Sequence, residues 1–103
     1  IRGFTSMSET MSPDSIATLL TEYFTEMVDI VFEHGGTLDK FMGDAIMALW
    51  GAPIGHEDDA DRAMQCALDQ LAALDKMNAK WKEQGRPTLG IGIGIAPRQR
   101  MAA

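Results

Sequence analysis

Residues 37–50 constrain this chain most: two extended runs, Thr37-Leu38-Asp39-Lys40-Phe41-Met42 and Ala45-Ile46-Met47-Ala48-Leu49-Trp50, meet at Gly43-Asp44. That dipeptide suits a tight hairpin turn, so residues 37–50 read as a β-hairpin. On either side lies a helical stripe. Upstream, Ile16, Leu19, Leu20, Tyr23, Phe24, Met27, Val28 and Val31 recur at three- and four-residue steps until Gly35-Gly36 interrupts them. Ser12-Pro13-Asp14-Ser15 supplies an N-cap, a proline for the first helical position and an acid that the helix dipole favours. Downstream, Ala60, Met64, Ala67, Leu68, Leu71, Leu74 and Trp81 mark a second stripe that Gly85-Arg86-Pro87 stops.

Alternation of Leu89, Ile91, Ile93 and Ile95 with Gly90, Gly92 and Gly94 predicts a further strand. A strand end followed by a short helix is expected near the N-terminus. The resulting order predicts an α+β, ferredoxin-like sandwich with an antiparallel sheet and helices packed on one face. Both ends look cut. Residue 1 is Ile, as though a strand had been severed at its last residue, and from Ala96 to Ala103 the alternation breaks into an atypical tail. The expected division is therefore a partial domain over 1–95 and a tail over 96–103.

With 103 residues, the chain fits one small domain or a piece of one. Fifteen acidic against nine basic side chains leave a charge of -6, the wrong sign for gripping a nucleic-acid backbone. No apolar run approaches the ~20 residues of a membrane helix, so membrane contact by this segment is not expected. The single cysteine, Cys66, falls on a helical stripe, which predicts a buried thiol and a reducing compartment.

Few residues point to chemistry by themselves. At Arg2-Gly3-Phe4-Thr5 a strand would pass into a short helix, where exposed N–H groups attract anions, but the local sequence favours an ordinary helix start capped by Thr5 or Ser6. Asp44 at a hairpin tip offers the oxygens that hard divalent cations prefer, although Gly-Asp also simply satisfies turn geometry. Lys40 stands four positions earlier, on the same face of the ribbon if pairing is regular. His34 and His56 lack a second ligand at metal-site spacing and read as solvent-exposed. The acids at 57, 58, 59 and 61 follow the helix dipole, and the eight methionines read as core filling.

Taken together, Ile1-Arg-Gly-Phe-Thr-Ser, Gly35-Gly-Thr-Leu-Asp-Lys-Phe-Met-Gly-Asp, His56-Glu-Asp-Asp-Ala and Leu89-Gly-Ile-Gly-Ile-Gly-Ile resemble, in one register over 1–95, the catalytic domain of class III adenylate/guanylate cyclases of the bacterial type. The resemblance implies conversion of ATP to 3′,5′-cyclic AMP and pyrophosphate. It implies two divalent cations, Mg²⁺ or Mn²⁺, with Asp44 matching one metal aspartate and the backbone carbonyl of Ile1 a metal contact. The other metal aspartate would immediately precede Ile1. Arg2, Gly3, Phe4 and Thr5 match the turn that holds the triphosphate, and Lys40 matches the lysine that reads the purine, where guanylate cyclases usually carry glutamate.

The resemblance further implies a homodimer packed head to tail, in which Lys40 and Asp44 of one chain serve opposite sites, and a cytoplasmic location that leaves membrane tethering of the parent protein open. After Ile95 the family pattern departs. A second base contact, a ribose-orienting asparagine and a transition-state arginine have no match, so the fragment alone is expected to be inactive. Alternatives are a guanylate cyclase, or a degenerate cyclase-like module that dimerises or binds nucleotide without turnover. A diguanylate cyclase is disfavoured, because the hairpin lacks Gly-Gly-Asp/Glu-Glu-Phe.

Overall fold

The computed structural model describes residues 1–51 and 58–96. Elements follow in the order α1 (Phe4–Thr10), α2 (Pro13–Glu33), β1 (Thr37–Met42), β2 (Ala45–Leu49) and α3 (Asp59–Glu83). This is an α+β arrangement in which β1 and β2 form a two-stranded antiparallel sheet and α2 packs against both β1 and α3. His56, Glu57 and the tail beyond Ala96 lie outside the described residues.

Helix α2 forms where its caps place it. The Ser12 hydroxyl accepts the backbone N–H of Ser15 at 3.2 Å, and Pro13 occupies a position whose missing N–H costs nothing. At the other end, Gly35 adopts φ +74°, which lets its N–H donate to the Phe32 carbonyl and that of Gly36 to the Val31 carbonyl. Helix α3 ends the same way through Gly85, with N–H groups of Gly85 and Arg86 on the carbonyls of Lys82 and Trp81.

Leu19, Tyr23, Met27, Ile30 and Val31 of α2 are buried, as are Cys66, Ala67, Leu74 and Trp81 of α3, and Leu89 closes the core below them. Polar contacts tie the two helices at both ends. At one end the Trp81 indole N–H donates to Glu22 Oε2 at 2.8 Å, and the Arg86 guanidinium pairs with the same carboxylate at 3.1 Å while lying 5.9 Å from the Trp81 ring. At the other, His34 Nε2 lies 2.7 Å from Asp69 Oδ2, and the His34 carbonyl accepts the Trp50 indole N–H at 2.9 Å. His34 is therefore no freely solvated side chain, contrary to the sequence expectation. It caps α2 and turns onto α3, a contact 35 positions away that local spacing cannot show.

The hairpin turns at Gly43-Asp44 as expected, with Gly43 at φ +59° in the first central position. Its pairing is irregular. Leu38 faces Ala48, yet Lys40 faces Met47 and Phe41 faces Ile46, leaving Asp39 as an extra residue in a bulge. Ala48 and Ile46 both pack on the core, so the bulge puts Leu38 and Phe41, three positions apart, on the helix side. Lys40 consequently points away from the helices.

Two further expectations are corrected. Residues 89–95 form no strand: Gly90 makes a single antiparallel bridge to Arg2, and the Asn78 side chain takes up both backbone groups of Leu89 at 2.8 Å each. A strand requires a ladder, and only Arg2 supplies a backbone partner there among the described residues. Nor do the methionines all fill the core. Met27 is buried, but Met42, Met47 and Met64 are exposed, because the hairpin's outer face and the outer side of α3 have no layer over them here.

Truncating Trp81 removes both the largest buried side chain and the donor to Glu22. Trp81→Ala is expected to cost about 3–5 kcal/mol, measured by urea denaturation. The contacts from His34, then Gln65, hold the Asp69 carboxyl below the usual carboxylate range. A depressed carboxyl contributes stability that is present above the ordinary range and lost as pH falls through its folded value. Asp69→Asn should therefore flatten the acid limb of a stability-versus-pH curve, whereas an unchanged limb would contradict the contact.

Candidate functional site

Asp44 sits at the tip of the hairpin with its side chain 31% exposed, and its Oδ2 lies 3.5 Å from the backbone nitrogen of Ile1. The Ile1 side chain is fully buried and packs on the main core, which holds the start of the chain beside the turn. One residue on, the Arg2 N–H donates to the Gly90 carbonyl, and the Arg2 side chain lies along Gly90 and Gly92. Two core-anchored points, Ile1 and Leu89, thus bring residues from positions 1–2, 44 and 90–92 to one edge.

Behind this edge opens a cleft of about 980 Å³, largely apolar, whose walls include Ile1, Tyr23, Asp44, Ile46, Ile91 and Ile93. Asp44 supplies the carboxylate at its hairpin end. Its charge acts on the Tyr23 phenol, which burial first and Asp44 second push above the usual value. Cys66 also lines the cleft and is buried, and desolvation, then the Asp69 charge, raise its thiol to about 11. At that value the thiol is inert at neutral pH, which agrees with the structural role expected from its stripe.

Gly3 adopts φ 67°, the left-handed conformation, and is the N-cap of α1 without a side-chain cap hydrogen bond. Phe4 and Thr5 begin the helix, so the alternative of a Thr5 or Ser6 cap does not hold. The first N–H groups of a helix have no intrahelical acceptor, and the Gly3 N-cap offers them no side-chain acceptor. Arg2 and Gly3 are exposed, and nothing lies within 4 Å of where a Gly3 Cβ would sit.

Of the residues singled out from the sequence, Ile1 and Asp44 come into contact, with Arg2, Gly3, Phe4 and Thr5 following directly in the chain. Lys40 stays apart. It is exposed on the outer face of β1, makes no ion pair with Asp44 among the described residues, and is absent from the described lining of the cleft. The shared face expected from regular pairing fails because Asp44 lies in the turn itself, outside the paired strands.

The donor set can be tested against a divalent cation. A carboxylate such as that of Asp44 is a hard oxygen donor of the type that Mg²⁺ and Mn²⁺ take. No group of three His, Cys, Asp or Glu gathers among the described residues. What stands at the hairpin end of the cleft, among the described residues, is a single carboxylate, Asp44. Tyr23 joins the site as a wall of the cleft; its sequence signal was only a place on an apolar stripe, indistinguishable from its core neighbours.

Comparison with known proteins identifies the class. The family model for the adenylate and guanylate cyclase catalytic domain matches residues 1–97, and the chain belongs to that family. Among its relatives, an adenylate cyclase of Anabaena cylindrica is 41% identical over 99 residues, covering 92% of this chain and 19% of that protein. Adenylate cyclase 1 of Rhizobium meliloti is 35% identical over 95 residues, covering 92% and 14% respectively. Among solved structures, the guanylyl cyclase Cya2 matches with TM-score 0.78 and 42% identity over 84% of this chain and 44% of its own. The adenylyl cyclase CyaB from P. aeruginosa matches with TM-score 0.80 and 32% identity, over 85% and 46%. The chain thus spans less than a fifth of these curated relatives and under half of these solved chains.

Proposed function

We propose that this chain contributes one part of the nucleotide site of a purine nucleotide cyclase that converts ATP to 3′,5′-cyclic AMP and pyrophosphate. The observation that carries the reading is the placement of Asp44, a partly exposed carboxylate held beside Ile1 at a cleft edge, in a chain of the cyclase family.

In this reading Asp44 and the Ile1 carbonyl hold a divalent cation, one of two Mg²⁺ or Mn²⁺ ions. When bound, such ions stabilise the nucleophile and the charge on the phosphate as the ribose 3′-oxygen attacks the α-phosphorus and pyrophosphate leaves. The amides of Gly3, Phe4 and Thr5 receive the triphosphate oxygens, while the Arg2 amide is held by the Gly90 carbonyl and the Arg2 guanidinium adds charge. Lys40 donates its ammonium protons to acceptors on the purine. Lysine there favours ATP; the 42% identity to a guanylyl cyclase is the observation that favours GTP as the second reading.

Lys40 and Asp44 face different ways, which supports assigning them to different sites in a head-to-tail homodimer. The lone buried Cys66 agrees with a reducing, cytoplasmic setting, and no described helix is long and apolar enough to cross a membrane. The catalytic part assigned to residues 1–95 lacks the second base contact, the asparagine and the arginine of the family pattern. Loss of one group that stabilises transition-state charge costs about 10²–10³ in rate, so residues 1–103 alone should form no measurable cyclic nucleotide.

Cyclic nucleotide formation by the natural full-length protein tests the assignment. Asp44→Asn should lower turnover by about 10²-fold or more, and Lys40→Glu should shift preference from ATP towards GTP. Undiminished activity in Asp44→Asn, or Mn²⁺-dependent turnover by residues 1–103 alone, would contradict it.

A further inference from the structure

The hairpin tip that carries Asp44 is fastened to α2 by aromatic rings. The Phe41 ring meets the Phe24 ring edge-on, with centroids 5.2 Å apart at 64°. Phe24 in turn lies 5.2 Å from Tyr23, tilted by 58°. Tyr23 is buried and forms a wall of the same cleft as Ile1 and Asp44. An unbroken line of three rings therefore runs from β1, two residues before the Gly43-Asp44 turn, through α2 to the edge where Asp44 meets Ile1.

The line exists because of the bulge. Strict alternation from Leu38 would send Phe41 outward and Lys40 into the helices. The extra residue at Asp39 reverses the phase, so that Phe41 joins its cross-strand partner Ile46 on the helix side. Near the turn, Phe41 and Ile46 are the pair that points inward, whereas Met42 is exposed. Phe41 is itself 50% exposed, so its burial gives the core little; what its ring supplies is a directed contact to Phe24. Aromatic pairs prefer this edge-on geometry over other arrangements, which makes the contact orientational as well as attractive.

We infer that Phe24 and Phe41 are positioning residues for Asp44: their ring contact sets where the turn stands over the cleft, and thereby where the carboxylate meets a cation. The inference rests on the metal reading of Asp44 given above. It assigns no chemistry to either ring and concerns only placement.

The test uses residues 1–103, wild type and the variants Phe41→Leu and Phe41→Tyr, titrated with Mn²⁺ alone and read by paramagnetic broadening of backbone amide signals. Because Phe41 is half exposed, replacing it leaves the buried core intact, and the thermal midpoint of each variant checks this. In the wild type the amides of Asp44 and Ala45 should broaden first. Phe41→Leu, which keeps apolar bulk but no ring, should weaken the Mn²⁺ effect at those amides about 2- to 10-fold with little change in midpoint. Phe41→Tyr, which keeps the ring, should restore it. Phe24→Leu provides a second route from the α2 side and should weaken the effect likewise. Wild-type broadening at Asp44 that Phe41→Leu and Phe24→Leu leave unchanged overturns the positioning role and keeps the metal reading. Loss of broadening in Phe41→Tyr equal to that in Phe41→Leu, in step with a lowered midpoint, also overturns it, since a general loosening then explains both. Absence of broadening at Asp44 in the wild type overturns the metal reading and the inference together.

Discussion

Packing of α2 against α3 is the interaction on which everything else in this chain depends. A two-stranded hairpin is marginal in isolation and needs a helix face to lie on. Here that face exists because Leu19, Tyr23 and Met27 on one helix and Leu74 and Trp81 on the other bury one another. Polar ties at the two ends fix how the helices cross. The Glu22 carboxylate joins Trp81 and Arg86 at one end, and His34 joins Asp69 and Trp50 at the other. The second tie also reaches the hairpin, because Trp50 follows directly on β2. Gly36 is what allows this approach, as a Cβ there would stand 2.7 Å from the Trp50 ring.

The candidate site inherits its geometry from that core without belonging to it. Ile1 is buried, so the turn beside it meets a fixed point, and Leu89 is buried, so the Gly90 carbonyl that receives Arg2 is fixed as well. Exposed groups are thereby held at an edge by their buried neighbours in sequence. Such an arrangement lets a carboxylate and the exposed start of a short helix keep a set separation without being buried themselves, which would carry a desolvation cost for Asp44.

Local chemistry was legible in the sequence and long-range chemistry was not. Ser12-Pro13, Gly35-Gly36 and Gly85 announce helix ends because capping uses neighbours within a few residues, and Gly43-Asp44 announces its turn for the same reason. The bulge at Asp39 leaves no such mark. It sets Phe41 against Phe24 of α2, a contact across the fold that spacing within β1 does not show. His34 finds Asp69 across the helix pair for a similar reason. Residues 89–95 show the opposite failure, in which a clean alternating pattern forms no strand because a ladder depends on partners that the pattern itself cannot supply. For the site, Asp44, Ile1 and the Arg2–Thr5 turn were singled out through blocks resembling one family, and the family match over 1–97 supports the resemblance. Tyr23 and Phe24 were not, since core aromatics and site aromatics share the same stripe.

That the Arg2–Thr5 turn and Asp44 belong to one nucleotide site is the central claim. Its most direct test is an NMR titration of residues 1–103 with a non-hydrolysable ATP analogue and Mg²⁺. The account predicts that amide shifts concentrate at Arg2–Phe4 and at Asp44, and that they move together along one saturation curve. Shifts confined to other regions, or two groups that saturate independently, would contradict it.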